Sequence, residues 1–316
     1  THKTLFQLLF EQIYFLQKRV RRSIPVIILV STVNQEDTRS FLEKHQFFGL
    51  DAELVFFLEQ DNLPYRDESG LNLENIQPAP NGNGGAFTAL SNASLLDKLS
   101  SLGVQWLHCL AIDNPLANPL DPYLMGSMSK TGADAGIKTI EREDPEEHVG
   151  VVVEHEGKIS VKDYMEIADA DRCAREGGKL KYSLANAGHY CFTVNFLKSV
   201  MAKKISLPVH WVKKGDSLYK GEQFLMDLLP YAHSTAVVVY PRKMSFAPLK
   251  NKTGKDSLAT VQKALSERDR SVFEAISGHR IDTDPFEISP AYLHPTPDLL
   301  ALWKTQPAPT ASYISL

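Results

Sequence analysis

Apolar positions along this chain fall into two alternating periods. Leu5, Leu8, Leu9, Ile13, Leu16 and Val20 recur at helical spacing and predict a helix over Thr1 to Val20. Ile24 to Ser31 follows as an apolar run rich in β-branched residues, the pattern of a strand covered on both faces. The alternation continues with a helix over Asn34 to His45, a strand over Leu54 to Leu58, a helix over Ala86 to Leu102 and a strand over Val104 to Ile112. Next come a helix over Asp121 to Lys130, a strand over Gly136 to Ile140, and a hairpin of Val149 to Glu154 with Lys158 to Val161 around Gly157. A strand over Asn186 to Val194, a helix over Phe196 to Lys204, a helical stretch over Glu222 to Leu229 and a strand over Thr235 to Tyr240 lead to a helix over Asp256 to Arg270.

Strands alternating with helices predict an α/β chain whose mostly parallel, mixed central sheet is flanked by helices. The polar segment Pro208 to Leu218 reads as an excursion from that sheet, with Trp211 packing inside it. The proline-, alanine- and threonine-rich end predicts irregular structure docked on the core. The expected division is therefore a core over residues 1–290 and an irregular tail over 291–316. The chain opens inside a helix and without an initiator methionine, so an element upstream of Thr1 is expected.

Composition narrows the function classes. Apolar residues make up 43% and charged residues 23% of the 316, as in soluble globular proteins. A net charge of −4 gives no general nucleic-acid surface. The apolar runs are too short for a membrane span. The three cysteines, Cys109, Cys173 and Cys191, form neither a metal motif nor a disulfide framework, which points to a reducing, cytoplasmic setting. No serine elbow or internal repeat is present.

Three places carry candidate chemistry. Gln77 to Gly85, reading Gln-Pro-Ala-Pro-Asn-Gly-Asn-Gly-Gly, is a loop whose glycines admit close backbone approach, and it delivers N–H groups to a helix N-terminus. Such a loop suits a flat ring or a phosphate; a tight surface turn is the alternative. Asp113 follows a strand's carboxyl end, where it can hold a divalent metal or a ribose hydroxyl, or simply cap the turn before Pro115. Lys250 lies on a loop after the Thr235 to Tyr240 strand, as a phosphate-neutralising charge or a solvated surface lysine.

Taken in order, several segments resemble the eukaryotic UDP-N-acetylglucosamine pyrophosphorylases, within the UDP-sugar pyrophosphorylase family. They are Lys3-Thr4-Leu5-Phe6-Gln7, His45 to Leu50, Ala79-Pro80 with Gly82-Asn83-Gly84-Gly85, Asp113-Asn114, Gly132-Ala133-Asp134, Val149-Gly150-Val151, Phe246 with Pro248-Leu249-Lys250-Asn251, and Glu287-Ile288-Ser289-Pro290. The resemblance implies a Rossmann-like nucleotidyltransferase fold of the GT-A-like type, with UTP and a sugar 1-phosphate giving a UDP-sugar and pyrophosphate. It places Pro80, Gly82, Asn83 and Gly84 by the uridine nucleotide and Mg²⁺ on Asp113. Lys250 would contact phosphate. Gly150, Asp163, Tyr164, Asn186, His189 and Phe224 would line the sugar side, with Gly150 allowing close approach.

The sequence also departs from that pattern. The family's glycine-rich phosphate-gripping loop does not occur and would precede Thr1. Asp163 stands where Glu is usual, His189 where a second Asn is usual, and Met226 where a second pocket aromatic is expected. His189 would then donate to a sugar hydroxyl or phosphate, with a protonation state that matters near neutral pH. The competing readings are a nucleotide-sugar-binding homologue without turnover and, more remotely, a dinucleotide-dependent dehydrogenase, whose glycine spacing Gly82-Asn83-Gly84 does not match.

Overall fold

The computed structural model describes residues 2–315; Thr1 and Leu316 lie outside the described residues, as does the side chain of Met165. The opening helix runs Leu5–Val20, with Thr4 as its N-cap accepting from the Gln7 N–H. Its Phe10 and Ile13 pack on Ile28, Val30 and Leu42, so the first strand and second helix, Val26–Val30 and Gln35–Lys44, close a small core with it. Val26–Val30 pairs in parallel with Val55–Glu59.

The larger sheet has six strands. Its order is Thr235–Tyr240, Ala135–Glu141, Leu184–Thr193, Val151–His155, Lys158–Lys162, with Trp106–Cys109 also paired to Leu184–Thr193. Trp106–Cys109, Ala135–Glu141, Val151–His155 and Thr235–Tyr240 share one direction; Leu184–Thr193 and Lys158–Lys162 run against them. Side-chain alternation sends Tyr190 and Phe192 to one face and Cys191 to the other. The first face meets the helices Gly85–Asn92, Leu95–Ser101 and Val194–Ala202 through Phe87, Leu99, Phe196 and Leu197; the second meets Pro122–Thr131 through Leu124 and Met128. Helices therefore cover both faces, and the α/β architecture read from periodicity is the one that forms.

Four segments differ in detail. The helix expected over Ala86 to Leu102 is two helices, broken where Ser94 takes a left-handed φ of 49°. The excursion at Pro208 to Leu218 is half of an antiparallel hairpin, His210–Gly215 with Leu218–Glu222. The helical stretch expected over Glu222 to Leu229 begins later, as a 3-10 turn over Leu225–Tyr231 that contains Pro230. The last long helix continues past Arg270 to Ser277 and ends at Gly278 in the left-handed region.

The stretch 291–316, expected to be irregular, holds the helix Pro297–Trp303 and a short strand, Tyr313–Ile314, parallel to Glu287–Ile288. Trp303 sits edge-on to Phe273 at 4.7 Å and Ile314 joins the same core, which supplies the apolar burial that composition alone did not show.

Candidate functional site

The loops that carry the candidate residues follow the carboxyl ends of strands, the usual binding edge of an open α/β sheet. Around Asn81 to Gly85 the chain is stitched to residues 222–225. Gly84 N–H donates to the Gln223 carbonyl (2.8 Å), Gln223 N–H donates to the Asn81 carbonyl (2.7 Å), and the Asn81 side-chain amide donates to Gln223 Oε1 (2.6 Å). Asn83 Oδ1 accepts from the Leu225 N–H at 2.9 Å.

A Cβ at Gly84 would lie 2.5 Å from both the Gln223 carbonyl carbon and the Phe224 nitrogen, so two backbones touch where only glycine fits. The N–H groups of Gly85, Ala86 and Phe87 donate to the carbonyls of Gly82, Asn83 and Gly84. The N–H groups of Asn81, Gly84 and Gly85 are thus answered inside the protein, by the carbonyls of Asp61, Gln223 and Gly82, those of Gly82 and Asn83 have no partner among the described residues, and the close approach at Gly84 is to the protein's own chain. The seam brings Phe224 against the glycine loop, a juxtaposition across about 140 residues that local sequence cannot express.

Gln60, which local pattern reading passed over, belongs to the same place. It follows the Val55–Glu59 strand, its N–H donates to the Val30 carbonyl at 2.9 Å, and its Cβ lies 3.0 Å from where a Gly85 Cβ would be. Its buried Oε1 has no partner among the described residues. A polar residue just past a strand's carboxyl end was the available signal.

Asp113 and Lys250, chosen independently, meet. The Leu249 N–H donates to the Asp113 carbonyl at 2.7 Å, setting Lys250 beside the Asp113 turn. Burial holds the Asp113 carboxyl above its ordinary value, and the Lys250 charge offsets only part of that rise. Asn114 fixes the arrangement from below: its Oδ1 accepts from the Leu116 and Ala247 N–H groups (3.3 and 3.1 Å), and its amide donates to the Ser245 carbonyl at 2.8 Å. Among the described residues no cluster of three or more His, Cys, Asp and Glu side chains forms a metal cage. A single half-buried carboxylate still fits Mg²⁺, which commonly takes one or two carboxylates and completes its shell with water and substrate phosphate.

Among the residues that the resemblance assigns to a sugar, the Asn186 N–H donates to the Gly150 carbonyl at 2.8 Å and the Asn186 amide donates to the Tyr190 hydroxyl at 2.6 Å. A Cβ at Gly150 would meet Val161 Cγ1 at 2.9 Å, so its close contact, like that of Gly84, is internal. Asp163 and Tyr164 follow the Lys158–Lys162 strand, and Tyr164 stacks on His148 with centroids 4.5 Å apart.

His189 does not join this group. Its ring is fully buried, and Nε2 lies 3.3 Å from the Asn114 amide nitrogen, which makes that ring nitrogen an acceptor. Burial first, then the charges of Lys138 and His108, hold its pKa well below 6.5, so the imidazole is neutral at pH 7. The expected donation to substrate and the expected titration near neutrality are both corrected: His189 supports Asn114 from the core. Beside it, Lys138 Nζ pairs with Asp121 Oδ2 at 2.7 Å with both side chains 2% exposed, and the Tyr240 hydroxyl donates to Asp121 Oδ1 at 2.8 Å.

This architecture is a nucleotidyltransferase fold. A crystal structure from Entamoeba histolytica superposes with a TM-score of 0.85 at 24% identity, covering 99% of this chain and 84% of that one. The uridine diphosphate N-acetylglucosamine pyrophosphorylase of Trypanosoma brucei, in complex with inhibitor, gives 0.79 at 24% identity, covering 100% of this chain and 73% of that one.

The model of the UTP–glucose-1-phosphate uridylyltransferase family matches residues 1–285, and the chain belongs to that family. UDP-N-acetylglucosamine diphosphorylase 2 of Arabidopsis thaliana is 32% identical over 280 residues, covering 80% of this chain and 56% of the relative. The chain thus spans a little over half the length of the curated relatives it matches.

Proposed function

We propose that this chain carries uridylyl transfer from UTP to a sugar 1-phosphate, most simply N-acetylglucosamine 1-phosphate, giving the UDP-sugar and pyrophosphate. The observation that carries the reading is the meeting of Asp113 and Lys250 on adjoining loops, tied by the 2.7 Å bond from Leu249 to Asp113. A phosphate oxygen of the sugar 1-phosphate attacks the α-phosphorus of UTP; the new P–O bond forms as the bond to the β-phosphate oxygen breaks, and pyrophosphate leaves. No protein nucleophile is needed, only alignment and charge neutralisation.

Lys250, exposed, neutralises developing charge on phosphate oxygens. The Asn81–Gly85 seam, with Pro80 and Gln60, holds the nucleoside, and the amide nitrogen of Asn83 remains for an acceptor on it. Gly150, Asp163, Tyr164, Asn186 and Phe224 shape the sugar side. Asp113 would hold Mg²⁺, which would supply neutralisation of phosphate charge when bound. The site residues beyond their positions, the metal and the sugar are parts of this proposal, and so is a cytoplasmic setting, supported by three free cysteines. No helix among the described residues is long and apolar enough to cross a membrane.

The test is pyrophosphate release from UTP, Mg²⁺ and a panel of sugar 1-phosphates, with UDP binding measured alongside. Turnover with one sugar fixes substrate and reaction. UDP binding without turnover for any sugar overturns the transferase reading in favour of a nucleotide-sugar-binding homologue.

A further inference from the structure

On the sugar side, two walls are joined by a side chain that the sequence pattern did not mark. His210 opens the His210–Gly215 strand, and its two ring nitrogens face two carboxylates: Nε2 is 2.9 Å from Asp227 Oδ2 and Nδ1 is 3.4 Å from Glu166 Oε1. Its ring lies 5.1 Å from that of Phe224 at an interplanar angle of 49°. Each acid belongs to a different wall. Asp227 lies in the Leu225–Tyr231 turn and its N–H donates to the Phe224 carbonyl at 3.2 Å. Glu166 ends the turn that carries Asp163 and Tyr164, and its N–H donates to the Asp163 carbonyl at 3.0 Å.

One imidazole therefore spans the distance between the Tyr164 turn and the Phe224 wall. The remaining charged neighbour, Glu222, lies opposite His210 in the strand pair but is occupied by Lys220 at 2.6 Å. A neutral ring has one N–H and answers one carboxylate; a ring protonated on both nitrogens answers both.

We propose that His210 is a positioning residue that clamps the Asp163–Tyr164 turn to the ring of Phe224, whose backbone and not its ring meets the glycine loop, and so sets affinity for the sugar half of a nucleotide sugar, independently of the uridine half. Its ligand rests on the transferase reading; its geometry does not. A side chain that only stabilised the fold would weaken both halves alike.

The experiment is calorimetric titration of the chain with UDP and, separately, with UDP-N-acetylglucosamine, for wild type, His210→Asn, Glu166→Gln and the double variant. UDP affinity stays within about twofold in all four, while each single variant weakens UDP-N-acetylglucosamine roughly fivefold and the double variant is no weaker than His210→Asn, as expected for two groups acting as one unit. Equal weakening of both ligands, or single effects that multiply, overturns the clamp while leaving the transferase reading intact.

If wild type binds neither ligand, the transferase reading fails and thermal unfolding judges the clamp alone. Glu166→Gln then lowers Tm in the His210 background and not in the His210→Asn background; equal shifts in both overturn the clamp. Glu166 is half exposed, so its variant keeps the test informative even where His210→Asn folds poorly.

Discussion

Between Asn81 and Gly85 three of the five backbone N–H groups, those of Asn81, Gly84 and Gly85, are answered from within the chain and two backbones touch, whereas around Asp113 and Lys250 the backbone is tied down and the Lys250 ammonium is left toward solvent. The first region is a seam whose shape is set by two backbones in contact at Gly84 and Phe224. The second is a pair of loops registered by Leu249 and Asn114, over a buried floor of His189, His108, Lys138 and Asp121. On the proposed function, the contrast separates two requirements of nucleotide handling. A uniform shape for an aromatic base is best fixed by chain-to-chain bonds, and charge for phosphates is best kept on side chains that can still reorient.

The buried floor gives the largest expected effect. Asp121→Ala leaves the Lys138 ammonium buried without its partner, which costs about 3–5 kcal/mol, read as a lower urea midpoint. If the variant unfolds like wild type, the floor is not what supports the open pair.

At the seam, Gly84→Ala forces a methyl into the Gln223–Phe224 backbone and costs about 2–3 kcal/mol in the same measurement. Lys250→Ala is the matching substitution on the open side. It shifts stability by no more than about 0.5 kcal/mol, while pyrophosphate or UTP binds at least about tenfold more weakly because a phosphate-facing charge is gone. A stability loss at Lys250, or none at Gly84, would erase the contrast between the two regions.

Acid should act on the floor before the seam. His108 is pushed down to about 4 and His189 is held well below 6.5, in both cases by burial first and Lys138 next. Groups whose folded pKa lies below the unfolded value stabilise above about 6.5 and lose that contribution as pH falls toward 4. Each histidine therefore removes about 1–2 kcal/mol between pH 7 and pH 5, a slope that His189→Asn should flatten in urea titrations at the two pH values. Among the substitutions expected to lower stability, the smallest effect is at Asn83→Ala, where losing the acceptor for the Leu225 N–H costs about 1 kcal/mol, read as a lower urea midpoint.

The order of helices and strands, the two-faced sheet and the positions of Asp113 and Lys250 at strand ends were legible in the sequence. Periodicity and β-branched runs report burial on one face or both, and ligand sites in such sheets follow the strand ends. The same local signals misread residues whose role depends on what lies across the fold. Gly84 and Gly150 read as openings for a ligand, yet a Cβ at either would meet the protein's own chain. His189 read as a polar residue in a sugar pocket, but a bulge between Asn186 and His189 in the Leu184–Thr193 strand precedes its placement in the core behind Asn114.

By itself, then, the sequence determined which segments form layers and which carry charge, because those follow from local spacing and composition. Only the tertiary structure decided that Gln223 closes the glycine loop, that Asn114 registers Asp113 with Lys250, and that His210 stands between Glu166 and Asp227. Each of these is a hydrogen bond or contact between residues far apart in the chain. Its existence depends on backbone approach and desolvation, which no local pattern encodes.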